Sequence, residues 1–125
     1  MRRWVTVAKL VDMGDERVLG IPYRHRQRLQ ERVSLPLVVI RYAQEHGARA
    51  IVVRFDDERL AFRLPLEEAL RLGRRELLEG QPELWLSLEL FEECPWPAWP
   101  YTTRIIRLGP GPAELPRQLS LGEVR

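Results

Sequence analysis

The clearest alternation in the chain is Glu83 to Phe91, ELWLSLELF, where Leu84, Leu86, Leu88 and Leu90 fall on one side of an extended segment. A period of two places every second side chain on the same face, so this stretch predicts a strand with one buried face. A second pattern runs from Ala50 to Leu64, AIVVRFDDERLAFRL, where two apolar arms meet at an acidic turn. It predicts a central hairpin, Arg49 to Phe55 against Arg59 to Leu64, with Leu60, Phe62 and Leu64 on the core side. The first arm is apolar on both faces at Ile51, Val52 and Val53, which predicts an interior position in the sheet.

The remaining elements follow from punctuation. Val5, Val7 and Val11, the turn residues Met13-Gly14-Asp15, and Arg17 to Ile21 predict a first hairpin. Pro22 is suited to the first turn of a helix, where its missing N–H costs nothing, so a largely polar helix is expected over Tyr23 to Val33. With Ser34 as N-cap and Gly47 as stop, the spacing of Leu35, Val38, Val39, Tyr42, Ala43 and His46 predicts the main core helix over 35–46. The alternative for Leu37 to Ile40 is a buried strand, and the polar face of Arg41, Gln44 and Glu45 favours the helix. Pro65 opens another helix to Leu72, ended or kinked by Gly73, with Arg74 to Glu79 as a further turn. The strand at 83–91 is expected to pair with Tyr101 to Leu108 across the proline-rich CPWPAWP connection, which cannot lie in a central ladder.

These elements give an α+β class, an antiparallel sheet of β-hairpins with two to three helices packed mainly on one face, in the order ββ, α, α, ββ, α, ββ. A single domain is expected over 1–108, followed by a Pro/Gly-rich C-terminal tail over 109–125. An internal echo accompanies the order: Asp15-Glu16-Arg17-Val18 with Ile21-Pro22-Tyr23, and Asp57-Glu58-Arg59-Leu60 with Leu64-Pro65-Leu66. Convergent turn chemistry explains it more simply than duplication.

Composition narrows the function classes. Apolar residues make up 45% and charged residues 30%, a globular balance. Twenty basic against eighteen acidic residues leave a net charge of only +2, which is no polybasic footprint. Lys9 is the only lysine, an arginine-rich and thermophile-like usage. Cys94 is the only cysteine, so no intrachain disulfide forms and a reducing, cytoplasmic setting is the simplest expectation. The start MRRWVTVAKLV is interrupted by Lys9 and lacks a small-residue cleavage site, and no apolar run reaches membrane-spanning length; a signal peptide and a membrane partner are not expected.

Candidate chemistry is sparse. Asp56, Asp57 and Glu58 could bind a hard cation, but acidic residues at a hairpin tip are ordinary turn residues. His25 and His46 are too far apart for a zinc motif, and His46 at a helix C-terminus reads as a packing or dipole residue. Ser34, Ser87 and Ser120 have no nucleophile-elbow context, and Cys94 sits beside carboxylates that raise a thiol pKa. No phosphate-binding glycine loop is present. No catalytic residue, metal or cofactor is therefore assigned, and the balance leans away from an enzyme.

Two surfaces remain. In PWPAWPY the prolines hold Trp96, Trp99 and Tyr101 in a preformed loop, the composition of a protein interface anchor; the competing reading is that an indole folds back as a lid on the core. In YRHRQRLQER a helix would line up Arg24, Arg28 and, one turn on, Arg32 in a stripe of phosphate contacts, with Arg26 on another side. The expected function is a small non-enzymatic binding or adaptor domain that engages protein, or a second copy of itself, through the aromatic loop and the tail. The alternative is nucleic-acid association through the arginine segment, and an enzyme without a recognisable motif stands third.

Overall fold

A computed structural model describes residues 6–23, 32–99 and 102–108. Strands dominate. In chain order they are β1 (Thr6–Met13), β2 (Glu16–Tyr23), β3 (Arg32–Pro36), helix α1 (Leu37–Glu45), β4 (Ala48–Phe55), β5 (Leu60–Pro65), helix α2 (Leu66–Leu72), β6 (Arg74–Leu78), β7 (Gln81–Ser87), a 3-10 turn (Leu88–Leu90), β8 (Glu92–Cys94) and β9 (Thr102–Leu108).

The strands form a six-stranded sheet, β8-β5-β4-β2-β1-β9, and a three-stranded sheet, β3-β7-β6. Both predicted hairpins are present, β1 with β2 and β4 with β5. They are joined side by side by a parallel pairing of β2 with β4, so the larger sheet is mixed and not purely antiparallel. Between β2 and β4 the chain leaves the sheet, forms β3 and α1, and returns, which is the crossover a parallel pair requires.

Several expectations change at this level. Pro22 does not open a helix: Pro22 and Tyr23 complete β2. Its missing donor is tolerated because the β1 ladder ends at the Lys9–Gly20 pair, leaving Pro22 flanked by β4 alone on its register. Of the expected 23–33 helix, Arg32 and Val33 are strand, and 24–31 lies outside the described residues. Ser34 is no N-cap; it lies in β3, and α1 begins after Pro36 with no side-chain cap. The true echo is local: Leu35-Pro36-Leu37 and Leu64-Pro65-Leu66 each end a strand and start a helix, with the prolines at φ −58°, ψ 136° and φ −57°, ψ 141°. Fixed φ and the extended conformation imposed before the helix make proline an abrupt switch between the two states.

Arg74 to Leu78 is the strand β6, not a further helical turn, and it joins β7 through Glu79 and Gly80, at φ 51° and 80°. Two consecutive left-handed residues are the signature of the tight hairpin turn whose twist matches its strands. β7 pairs with β3 and β6, and β9 pairs instead with β1. The tail over 109–125 lies outside the described residues.

The main core gathers residues from both sheets and both helices, among them Leu10, Leu19, Ile21, Leu35, Ile40, Ile51, Phe55, Leu84, Leu86 and Ile106. A second, smaller cluster of Val11, Val18, Ala50 and Val52 comes from alternate positions of β1, β2 and β4 and is therefore on the opposite face of the larger sheet. Every one of those four side chains is fully buried. Something must cover them, and that cover is the loop after β8.

Candidate functional site

From Cys94 the chain leaves β8 through Pro95-Trp96-Pro97-Ala98-Trp99 and crosses this second face. Trp99 is 6% exposed and completes the small cluster, with Met13 and Cys94 at its margin. Its indole lies directly on Gly20: a Cβ at that position would fall 2.9 Å from Cζ2 and 3.0 Å from Cη2. The close approach explains a glycine in the interior of a strand. The indole Nε1–H points to the Met13 sulfur at 3.3 Å.

Arg54 organises the loop from below. It stands on β4, on the outer face with Val52, and donates from Nη1 to the Pro97 carbonyl at 3.2 Å and from Nε to Asp56 Oδ1 at 3.2 Å. Its guanidinium carbon lies 4.3 Å from the Trp99 ring centre and 5.0 Å from that of Trp96. Arg59, in the hairpin turn, lies 4.8 Å from Trp96. The contacts run in the order Arg59, Trp96, Arg54, Trp99, and end on Gly20. Contacts of this kind contribute about 0.5–2 kcal/mol each, more when desolvated.

The two tryptophans therefore differ. Trp99 takes the lid position, whereas Trp96 is half-buried and remains at the surface. Tyr101 lies outside the described residues, as do Arg24, Arg26 and Arg28. Arg32 is described, and its guanidinium lies 3.9 Å over the Trp85 ring, an intramolecular use of that side chain. The structure thus brings Trp96 and Trp99 together and places Arg32 elsewhere, on the smaller sheet.

Sequence reasoning missed Arg54. A lone arginine at the end of the apolar run AIVV, in register with the outward positions Ala50 and Val52, was the available signal. Also missed was Glu83, fully buried on β7, which accepts from Ser34 Oγ at 2.9 Å and from Gln81 Nε2 at 3.1 Å. Ser34 thus belongs to a hydrogen-bond network that ties β3 to β7, not to a helix cap.

Other candidates resolve into structural roles. Asp56, Asp57 and Glu58 are exposed on the β4–β5 turn, and among the described residues no group of three or more His, Cys, Asp or Glu is placed to hold a metal ion. His46 caps α1: its ring Nδ1–H donates to the Tyr42 carbonyl at 2.8 Å, and the ring lies 4.1 Å from that of Tyr42, tilted by 32°. An open concavity of about 540 Å³ is lined by Glu16, Gln44, Arg49, Arg63, Leu66 and Glu67 among others. Arg63 grips Glu16 through Nη2 at 2.7 Å and Nε at 3.2 Å, and these hydrogen bonds raise its pKa, so two charges of the concavity face each other. Among the described residues no helix is long and apolar enough to cross a membrane.

Burial pushes the Cys94 thiol up; Arg63 pulls it partly back, and Glu93 adds a smaller push upward. Only the thiolate reacts with alkylating agents, so a raised pKa means less reactive species at neutral pH. Iodoacetamide at pH 7.5 should label Cys94 at least about tenfold more slowly in the native protein than in urea, as an order-of-magnitude expectation. Equal rates, followed by mass spectrometry, would refute that environment.

Comparison with known protein families, with curated proteins and with solved structures gives no match, so the geometry of the loop face is what a functional reading has to rest on.

Proposed function

We propose that this protein is a small non-enzymatic binding domain that engages another protein through the face closed by residues 95–99, in a reducing, cytoplasmic setting. The observation that carries the reading is the contact of a half-buried tryptophan, Trp96, with two guanidinium groups, Arg54 at 5.0 Å and Arg59 at 4.8 Å from its ring centre. A flexible aromatic side chain loses entropy on binding; one already held by two guanidinium contacts and flanked by Pro95 and Pro97 loses little. The exposed turn residues Asp57, Glu58 and Arg59 supply the polar rim that surrounds interface anchors. The division of labour follows: Trp99 and Arg54 hold the loop, and Trp96 is presented. The polyanion alternative has less support, because Arg32 already lies over Trp85.

Selection of a peptide library on the immobilised protein tests this. Binders should depend on Trp96, with Trp96→Ala weakening them by about 2 kcal/mol, roughly thirtyfold, the size of an interface hot spot. Binders held equally well by Trp96→Ala would remove the reading. Elution from heparin only at high salt would favour the nucleic-acid alternative instead.

A further inference from the structure

Among the described residues, the smaller sheet ends in an uncovered edge. β6 has β7 on one side and, among the described residues, no strand on the other. Leu77, on this edge, is 73% exposed, and Leu72, at the end of α2 just before the strand, is 45% exposed. Large apolar side chains at an unpaired edge are what sheets normally avoid.

The hairpin turn fixes which groups point outward. Leu78 and Gln81 flank the turn at Glu79 and Gly80, and the hydrogen bond between the flanking residues directs the backbone of Leu78 toward β7. Backbone direction alternates along a strand, so Glu76 and Arg74 also bond inward, and the N–H and C=O of Arg75 and Leu77 face the open side.

We infer that this edge docks a second copy of the chain, β6 against β6 antiparallel about a two-fold axis at Glu76, joining two three-stranded sheets into one. The inference rests on the protein-binding reading above but names a different surface. In this register Arg75 lies opposite Leu77 of the second copy, and Leu77 opposite its Arg75. These are the residues whose backbone groups face no strand among the described residues, and the two pairs give roughly four main-chain hydrogen bonds. The side chains are self-complementary as well. Arg75 lays its aliphatic stem along the facing leucine and keeps its charge in solvent, and the two leucines are diagonal neighbours.

Charge does not forbid the pairing. The two copies of Glu76 meet at the axis, where like charges alone would repel. Each glutamate, however, is paired with its own Arg74, Nε to Oε1 at 3.1 Å, on the same face of the strand. Arg74 is also the diagonal neighbour of the opposite Glu76, so four charges of alternating sign surround the axis. A five-residue edge covers less than the roughly 800 Å² per partner of a standard interface, so the association is expected to be weak and reversible.

Sedimentation of the full chain from about 1 µM to about 1 mM, a range matched to weak complexes, tests the proposal. The mass should rise from 14.7 kDa toward twice that value with concentration. Leu77→Pro removes an outward N–H without touching the β7 ladder, and Leu77→Lys places a charge at the contact. Both should sediment as a single chain throughout, with circular dichroism unchanged; Leu77→Lys alone decides the matter if the proline variant does not fold. Trp96→Ala should associate like wild type. A wild-type chain that stays single at all concentrations, or a dimer that survives Leu77→Lys, overturns the proposal. Loss of the dimer in Trp96→Ala with its retention in Leu77→Lys overturns it too and supports the loop face as the self-association surface. Peptide binders that depend on Trp96 stand or fall separately from all of these results.

Discussion

Trp99→Ala should destabilise the protein by about 3–5 kcal/mol, the range for removing a large aromatic side chain from a packed site. The magnitude comes from packing and not from polar contacts. A buried indole removes on the order of 200 Å² from water, which at ~25 cal/mol per Å² is about 5 kcal/mol as an upper bound. The Nε1–H to sulfur contact at 3.3 Å and the Arg54 stacking are second to that, at roughly 1 kcal/mol each. Without the ring, Val11, Val18, Ala50 and Val52, all fully buried, would face water across the middle of the six-stranded sheet. Urea denaturation followed by circular dichroism measures the effect. Trp96→Ala is the internal comparison and should cost no more than about 1–2 kcal/mol, two lost surface cation–π contacts at about 0.5–1 kcal/mol each. If the two variants are equally destabilised, the assignment of Trp99 as lid and Trp96 as presented residue is wrong.

That distinction between two tryptophans three residues apart marks the boundary of what local pattern reveals. The sequence contains the lid as one of two readings of PWPAWPY, but nothing in that segment says which ring turns inward. The decision is made on a strand nearly eighty residues earlier, by the absence of a side chain at Gly20. Where the information is local, the pattern suffices: Leu60 and Leu64 face the core, and the doubly apolar Ile51 to Val53 arm is interior, between β5 and β2. α1 was legible as a helix but its face only in part: Val39, Tyr42 and Ala43 are buried as the spacing predicts, whereas Val38 is 45% exposed, Leu35 belongs to β3, and Ile40 is buried in addition. Strand pairing beyond the two hairpins was not legible. The alternation in β7 predicts a strand with a buried face, but it contains no information about whether the neighbour is 101–108 or the pair 32–36 and 74–78. β6 is the instructive failure. Arg-Arg-Glu-Leu-Leu-Glu is composed of good helix formers, and tertiary pairing with β7 overrides that preference.

The point where that override is enforced is Gly73, and Gly73→Ala should destabilise the protein by about 2–3 kcal/mol, the upper part of the range for overpacking. Gly73 sits at φ −69°, ψ 146°, a conformation alanine adopts freely, so torsional strain has no part in the expectation. Restricting the unfolded chain would by itself stabilise by about 0.4–1 kcal/mol. Steric conflict outweighs that gain. A Cβ at this position would lie 2.5 Å from Leu84 Cγ and 2.7 Å from the Ala69 carbonyl oxygen. Neither can retreat easily: Leu84 is fully buried in the middle of β7, and the Ala69 carbonyl accepts the Gly73 N–H at 2.9 Å, the bond that closes α2. Urea denaturation should therefore show a lower midpoint for Gly73→Ala, and Leu84→Ala in the same chain should recover part of the loss by making room. Leu84→Ala alone costs about 2–5 kcal/mol, so the rescue is read from the double-mutant cycle: the double variant should be less destabilised than the sum by at least about 1 kcal/mol. Additive effects would show that the side chains do not meet. Because the same junction sets the departure of β6 from α2, Gly73→Ala should also weaken self-association through the β6 edge, whereas Trp99→Ala, on the far face of the other sheet, should leave that association unchanged in whatever fraction remains folded.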